Sequence, residues 1–87
     1  MTNLLDFLDT NGISYNIMKQ NFVSFTYNSL TYRFDFSSKK LYMFFYGNRL
    51  ELEFTEIETE INECNNYMIV YFEEENNLYV SFKGGSK

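Results

Sequence analysis

Leu30-Thr31-Tyr32-Arg33-Phe34-Asp35-Phe36 places an apolar side chain at every second position, the period of a strand with one face in a core and the other in water. Immediately upstream, Val23-Ser24-Phe25-Thr26-Tyr27 keeps the same period. The two residues between these runs, Asn28-Ser29, have the length and chemistry of a tight hairpin loop. A hairpin over Val23–Phe36 is therefore the nucleus of the fold. Further upstream, Tyr15-Asn16-Ile17-Met18 reads as a short strand or a lead-in to one. Downstream, Ser37-Ser38-Lys39-Lys40 supplies a turn, and Leu41-Tyr42-Met43-Phe44-Phe45-Tyr46 follows without alternation, as a strand covered on both faces does. Gly47-Asn48 marks the next turn. Leu50, Leu52 and Phe54 then alternate with Glu51 and Glu53, the pattern of a short edge strand.

Two segments read as helices. The first opens the chain, with Thr2 able to cap its start and Gly12 able to take the left-handed position just past its end. That placement puts Leu8 and Ile13 at the two positions whose apolar contact accompanies a Schellman stop. Leu4, Leu5 and Leu8 share one side, while Asp6 and Asp9 face away. The second helix is expected over Thr55–Cys64. Thr55-Glu56-Ile57-Glu58 has capping-box spacing, and Ile57, Ile61 and Cys64 form a stripe at i, i+4 and i+7. After Asn65-Asn66, Tyr67–Phe72 reads as another strand apolar on both sides. Glu73-Glu74-Glu75-Asn76-Asn77 forms a polar loop, and Leu78-Tyr79-Val80-Ser81-Phe82 pairs back. The expected fold class is α+β: an antiparallel sheet of about five strands with an N-terminal helix and a second short helix, in the order α-β-β-β-α-β-β. Residues 1–83 form a single domain and 84–87 a flexible tail.

Composition bounds the function. With 87 residues, one core removes roughly 60–65% of the unfolded chain's surface, which fits one domain. The chain holds 10 Phe and 8 Tyr with no Pro, Trp or His, so it is biased towards strands. A net charge of −5 opposes nucleic acid, whose affinity comes from Lys and Arg displacing counterions. The longest apolar run, Leu41–Tyr46, is far short of the roughly 20 residues of a membrane helix. A cytoplasmic protein is expected, and the lone Cys64 accords with a reducing compartment.

No residue takes a catalytic role. Without histidine, Ser-His and Cys-His pairs do not form, and one cysteine does not supply a zinc ligand set. Glycines at 12, 47, 84 and 85 match no phosphate loop. No cofactor or metal is expected, and Cys64 reads as a small core residue.

Surface bookkeeping points to function instead. Two short helices cover one sheet face, filled by Val23, Phe25, Tyr27, Leu30, Tyr32, Phe34, Phe36, Leu78, Val80 and Phe82. The strands Leu41–Tyr46 and Tyr67–Phe72 place further rings on the opposite face, a patch of the size that marks binding surfaces. Tyr42, Phe44, Tyr46, Tyr67, Tyr71 and Tyr79 are the candidate interface of a non-enzymatic, chaperone-like or adaptor module that binds protein, either a client or itself as a homodimer. The alternative is an acidic inhibitor or immunity-type protein that blocks a basic site on an enzyme or toxin. Its contacts would be Glu56, Glu60 and Glu63, which line one flank of the expected second helix and repel one another there.

The leucine helix ending at Gly12, the hairpin Phe25–Phe34, and the segment Ile57–Cys64 feeding Tyr67–Phe82 together resemble the type III secretion chaperone-like fold, including its YbjN-like branch. The resemblance implies a small acidic protein, often dimeric, that binds other proteins.

Overall fold

The computed structural model describes residues 1–62, 65–73 and 76–82. One helix, α1 (Thr2–Thr10), precedes seven strands: β1 (Tyr15–Lys19), β2 (Phe22–Tyr27), β3 (Leu30–Asp35), β4 (Lys40–Phe45), β5 (Asn48–Glu60), β6 (Asn66–Phe72) and β7 (Asn77–Phe82). Each strand pairs antiparallel with the next, so spatial order equals chain order. Among the described residues the molecule is an antiparallel meander with one short helix. This corrects the expected α+β arrangement of about five strands and two helices.

The correction is concentrated in one segment. Where a second helix was expected over Thr55–Cys64, β5 continues as a strand to Glu60; Glu63 and Cys64 lie outside the described residues. Thr55, Ile57, Thr59 and Ile61 put a β-branched side chain at every second position, which suits a pleated surface and costs rotamer freedom in a helix. Pairing settles the competition. Ile57 faces Val70 and Thr59 faces Met68 across the ladder, and both partners are fully buried. A helix there would have strung like-charged Glu56, Glu60 and Glu63 along one flank, whereas the strand turns its glutamates to solvent.

The turns show how sequence sets the register. Asn28 and Ser29 both have positive φ, 53° and 69°, the two-residue type I′ geometry that matches strand twist; Tyr27 accordingly pairs with Leu30. The β4–β5 turn has the same form but is centred on Tyr46 and Gly47, with φ of 49° and 79°, one residue before the expected Gly47-Asn48. Asp35 closes the longer β3–β4 turn by accepting from the Ser37 and Ser38 amides.

Helix α1 ends as its sequence requires. Gly12 has φ 71°, its amide donates to the Asp9 carbonyl, and the Ile13 amide donates to the Leu8 carbonyl at 2.9 Å, the bond pair of a Schellman stop. At the other end the cap residue is Met1, with no side-chain cap bond. Thr2 therefore lies within the helix instead of capping it.

The sheet is strongly curled. Tyr27 on β2 and Phe82 on β7 are five strand intervals apart, roughly 24 Å across a flat sheet, yet their ring centroids are 4.2 Å apart. The bend falls at Thr55, where the pairing of β5 with β6 steps from Phe54–Phe72 to Glu56–Tyr71 and so inserts one extra residue, a β-bulge. Two leaves result, joined through β5: β1 to β4 with the first half of β5, and the second half of β5 with β6 and β7. Leu4, Phe7 and Leu8 of α1 fill the space between them, and Phe7 meets Phe82 edge to face at 5.0 Å. All ten residues expected on the inner face are buried or packed against this core.

Candidate functional site

With α1 on the inner side, the outer faces of both leaves carry no second layer among the described residues. This corrects the expectation that β4 and β6 are covered on both sides. Their apolar runs bury Leu41, Met43, Met68 and Val70 inwards, and point Tyr42, Phe44, Tyr67, Ile69 and Tyr71 outwards.

The bulge determines which residues the second leaf displays. Before it, Glu51 and Glu53 face outwards opposite Tyr42 and Lys40. Without an inserted residue, the strict two-residue period would carry the odd positions outwards along the rest of β5 and bury its glutamates. One extra residue reverses the phase. Glu56, Glu58 and Glu60 turn out, opposite Tyr71, Ile69 and Tyr67. The inserted Thr55 is held on both sides: its hydroxyl donates to the Tyr71 carbonyl at 3.3 Å, and its carbonyl accepts from Lys39 Nζ.

The outer face of β5–β7 thus combines three exposed carboxylates with three tyrosines. Tyr67 and Tyr79 stack at 5.1 Å. The Tyr71 hydroxyl donates to Glu58 Oε1 at 2.6 Å, and this bond, ahead of burial, raises the phenol above its ordinary 10.0. Burial, followed by the charges of Glu60 and Glu58, raises Tyr67 in the same direction. Successive glutamates lie about 7 Å apart along the strand, within a Debye length of about 8 Å at physiological salt. Their fields therefore add, and no Lys or Arg of the described residues lies on β5 beyond the bulge, β6 or β7.

Asparagines anchor this face to the helix. Asn65 Nδ2 donates to the Tyr79 hydroxyl at 3.0 Å, and Asn65 Oδ1 accepts from Ser81. The neighbouring Asn66 donates to Asn11 Oδ1 at 2.8 Å, and Asn11 Nδ2 donates to the Phe7 carbonyl. The rim tyrosine is in this way tied through Asn65 and Asn66 to the end of α1.

The outer face of the first leaf has a different chemistry. Arg33 lies over Phe44 at 4.8 Å, Arg49 over Tyr42 at 5.6 Å and Lys19 over Phe22 at 5.7 Å. Lys40 and Arg49 both reach Glu51 at 3.1 Å; these bonds, from Lys40 first and Arg49 second, lower the Glu51 carboxyl below its ordinary value. Arg33 Nε is buried without a hydrogen-bond partner. These cations cover part of each ring, and Phe22, Tyr42 and Phe44 are only partly exposed.

The structure therefore redistributes the residues singled out from sequence. Tyr42 and Phe44 lie on the first leaf, under guanidinium groups, and Tyr46 stands 91% exposed at a turn tip. Tyr67, Tyr71 and Tyr79 lie on the second leaf beside Glu56 and Glu60, so half of the aromatic set and two of the three glutamates read as its rival share one surface, Glu63 lying outside the described residues. Glu58, Arg33 and Arg49 were missed. The alternating pair Glu51/Glu53 and the alternating trio Glu56/Glu58/Glu60, offset by one residue, hold the signal for Glu58. Compared with protein families, curated proteins and solved structures, the chain matches none. No described helix is long and apolar enough to cross a membrane.

Proposed function

We propose that this chain is a small non-enzymatic protein-binding module whose docking surface is the outer face of β5–β7, and that its partner presents a basic segment. One observation carries the reading: Glu56, Glu58 and Glu60 project beside Tyr67, Tyr71 and Tyr79 on strand segments whose described residues include no Lys or Arg. Carboxylates attract Lys and Arg, and uncovered tyrosine rings accept the same groups by cation–π contact while burying their aliphatic stems. The tyrosines have the aromatic, hydrogen-bonding character of interface cores, and the carboxylates suit a polar rim. Clustered like charge adds long-range attraction and raises the association rate.

A nine-residue arginine peptide tests the proposal in an NMR titration at low and at moderate salt. Shift changes should map to the outward residues of β5–β7, and neutralising Glu56, Glu58 and Glu60 together to Gln should abolish them. Shifts spread evenly over the acidic surface, or unchanged by the triple substitution, would overturn it. Loss of binding on raising salt from 50 to 300 mM is expected, because exposed charges are screened over that range.

A further inference from the structure

The second leaf calls for cations, and the first leaf displays them. Of the seven Lys and Arg residues in the chain, four, Lys19, Arg33, Lys40 and Arg49, lie on or beside the outer face of the first leaf, interleaved with Phe22, Tyr42 and Phe44. Three carboxylates share that face: Lys40 and Arg49 both bond Glu51, and Glu53 and Asp35 stand opposite Lys40 on the two neighbouring strands, so the cations exceed them by one. Arg33 forms no ion pair among the described residues, and its Nε lacks a hydrogen-bond partner. One molecule cannot bring the two faces together, because the bend at Thr55 turns both outwards from a common core.

Spacing agrees with charge. Arg33 and Arg49 are separated by two strand intervals and one two-residue step, roughly 12 Å between backbones. Glu56 and Glu60 are four residues apart on one strand, about 13 Å.

We propose that the basic segment recognised by β5–β7 is a second copy of this chain, which docks the Arg33–Arg49 face of its first leaf on the Glu56–Glu60 face of its neighbour. This rests on the docking surface assigned above and names its occupant. The two contacting surfaces differ, so the contact is head to tail and propagates into a ring or an open filament. It leaves one acidic face and one basic face free at the ends of any open assembly.

Two variants changed at exposed side chains, and their mixture, decide the matter by sedimentation velocity at 50 mM salt. Arg49→Glu disables only the basic face, and the triple change Glu56→Gln, Glu58→Gln, Glu60→Gln disables only the acidic one. The native chain should assemble with rising concentration, and each variant alone should remain monomeric with unchanged circular dichroism. Mixed one to one, the variants retain one competent junction, so they should form a dimer and nothing larger. A native chain that stays monomeric up to several hundred micromolar, a variant that still assembles alone, or a mixture that fails to dimerise would overturn the inference. The arginine-peptide titration separates the two claims. A monomeric native chain that binds the peptide on β5–β7 refutes only the second copy, whereas one that does not bind refutes the docking surface as well.

Discussion

Tyr27 and Phe82 touch only because the sheet curls, which makes their coupling a direct probe of the fold. Phe82 is 1% exposed, and its ring meets Tyr27 at 4.2 Å and Phe7 at 5.0 Å. Full burial of a Phe side chain is worth about 1.5–3 kcal/mol. Emptying roughly 100 Å³ at about 24 cal/mol per Å³ would add ~2.4 kcal/mol if the walls stayed fixed. Phe82→Ala should therefore cost about 3–5 kcal/mol, a large share of the 5–15 kcal/mol typical of a domain. Such a loss risks unfolding the variant, so the informative measurement is a milder double-mutant cycle of Tyr27→Leu and Phe82→Leu. Urea unfolding followed by circular dichroism gives the four stabilities. A packed aromatic pair should show coupling of about 0.5–1.5 kcal/mol. In a flat sheet the two residues would be too far apart to interact and their effects would add. Coupling near zero, with both single variants folded, would refute the closure of β2 against β7.

Gly12→Ala should cost about 1–2 kcal/mol through left-handed backbone strain alone, since φ is +71° and an added Cβ meets nothing within 4 Å; Gly12→Asn should cost less, as urea midpoints would show. Glu51 has its folded pKa lowered by hydrogen bonds from Lys40 and Arg49, so its contribution is present above its ordinary 4.5 and disappears as pH falls through the lowered value. The loss of urea stability between pH 5 and pH 3 should therefore be shallower for Glu51→Gln than for the native chain. Tyr71 has its phenol raised above 10.0, so its contribution is full below pH 10 and is lost as pH rises through the folded value. Absorbance titration should place Tyr71 ionisation above that of a free tyrosine, and Glu58→Gln should bring it down; an unchanged alkaline titration would count against the Tyr71–Glu58 bond.

Most of the strand pattern is legible in the sequence because local signals and tertiary demands coincide. The alternation in Leu30–Phe36, the Asn28-Ser29 turn and the Leu8/Gly12/Ile13 stop each state locally what the core also requires. The segment Thr55–Glu60 fails for a physical reason: Ile57 and Ile61 lie on one side of a helix and equally on one side of a strand. The choice depends on Met68 and Val70 waiting across the ladder, which local periodicity does not see. The β-branched residues at 55, 57, 59 and 61 and the phase slip between Glu53 and Glu56 were the available signals, and a capping box masked them. The site was legible only in parts. Tyr67, Tyr71, Tyr79, Glu56 and Glu60 were each identifiable as residue types without an internal task, but their union on one face depends on the bulge. The rings of the first leaf looked like bare apolar surface because cation–π cover by Arg33 and Arg49 comes from neighbouring strands. The element order behind the secretion-chaperone resemblance included the second helix, and that helix is the element which β5 replaces.

The docking surface on β5–β7 exists only if Glu56, Glu58 and Glu60 project from one side of a strand paired with β6. Backbone NOEs in a uniformly labelled sample test this directly. Cross-strand contacts between the Glu58 and Ile69 segments and between the Glu60 and Tyr67 segments are expected, together with strong sequential Hα–HN contacts. Medium-range contacts from each Hα to the amide three residues ahead, running from Glu56 through Ile61, would show a helix there and remove the face on which the account depends.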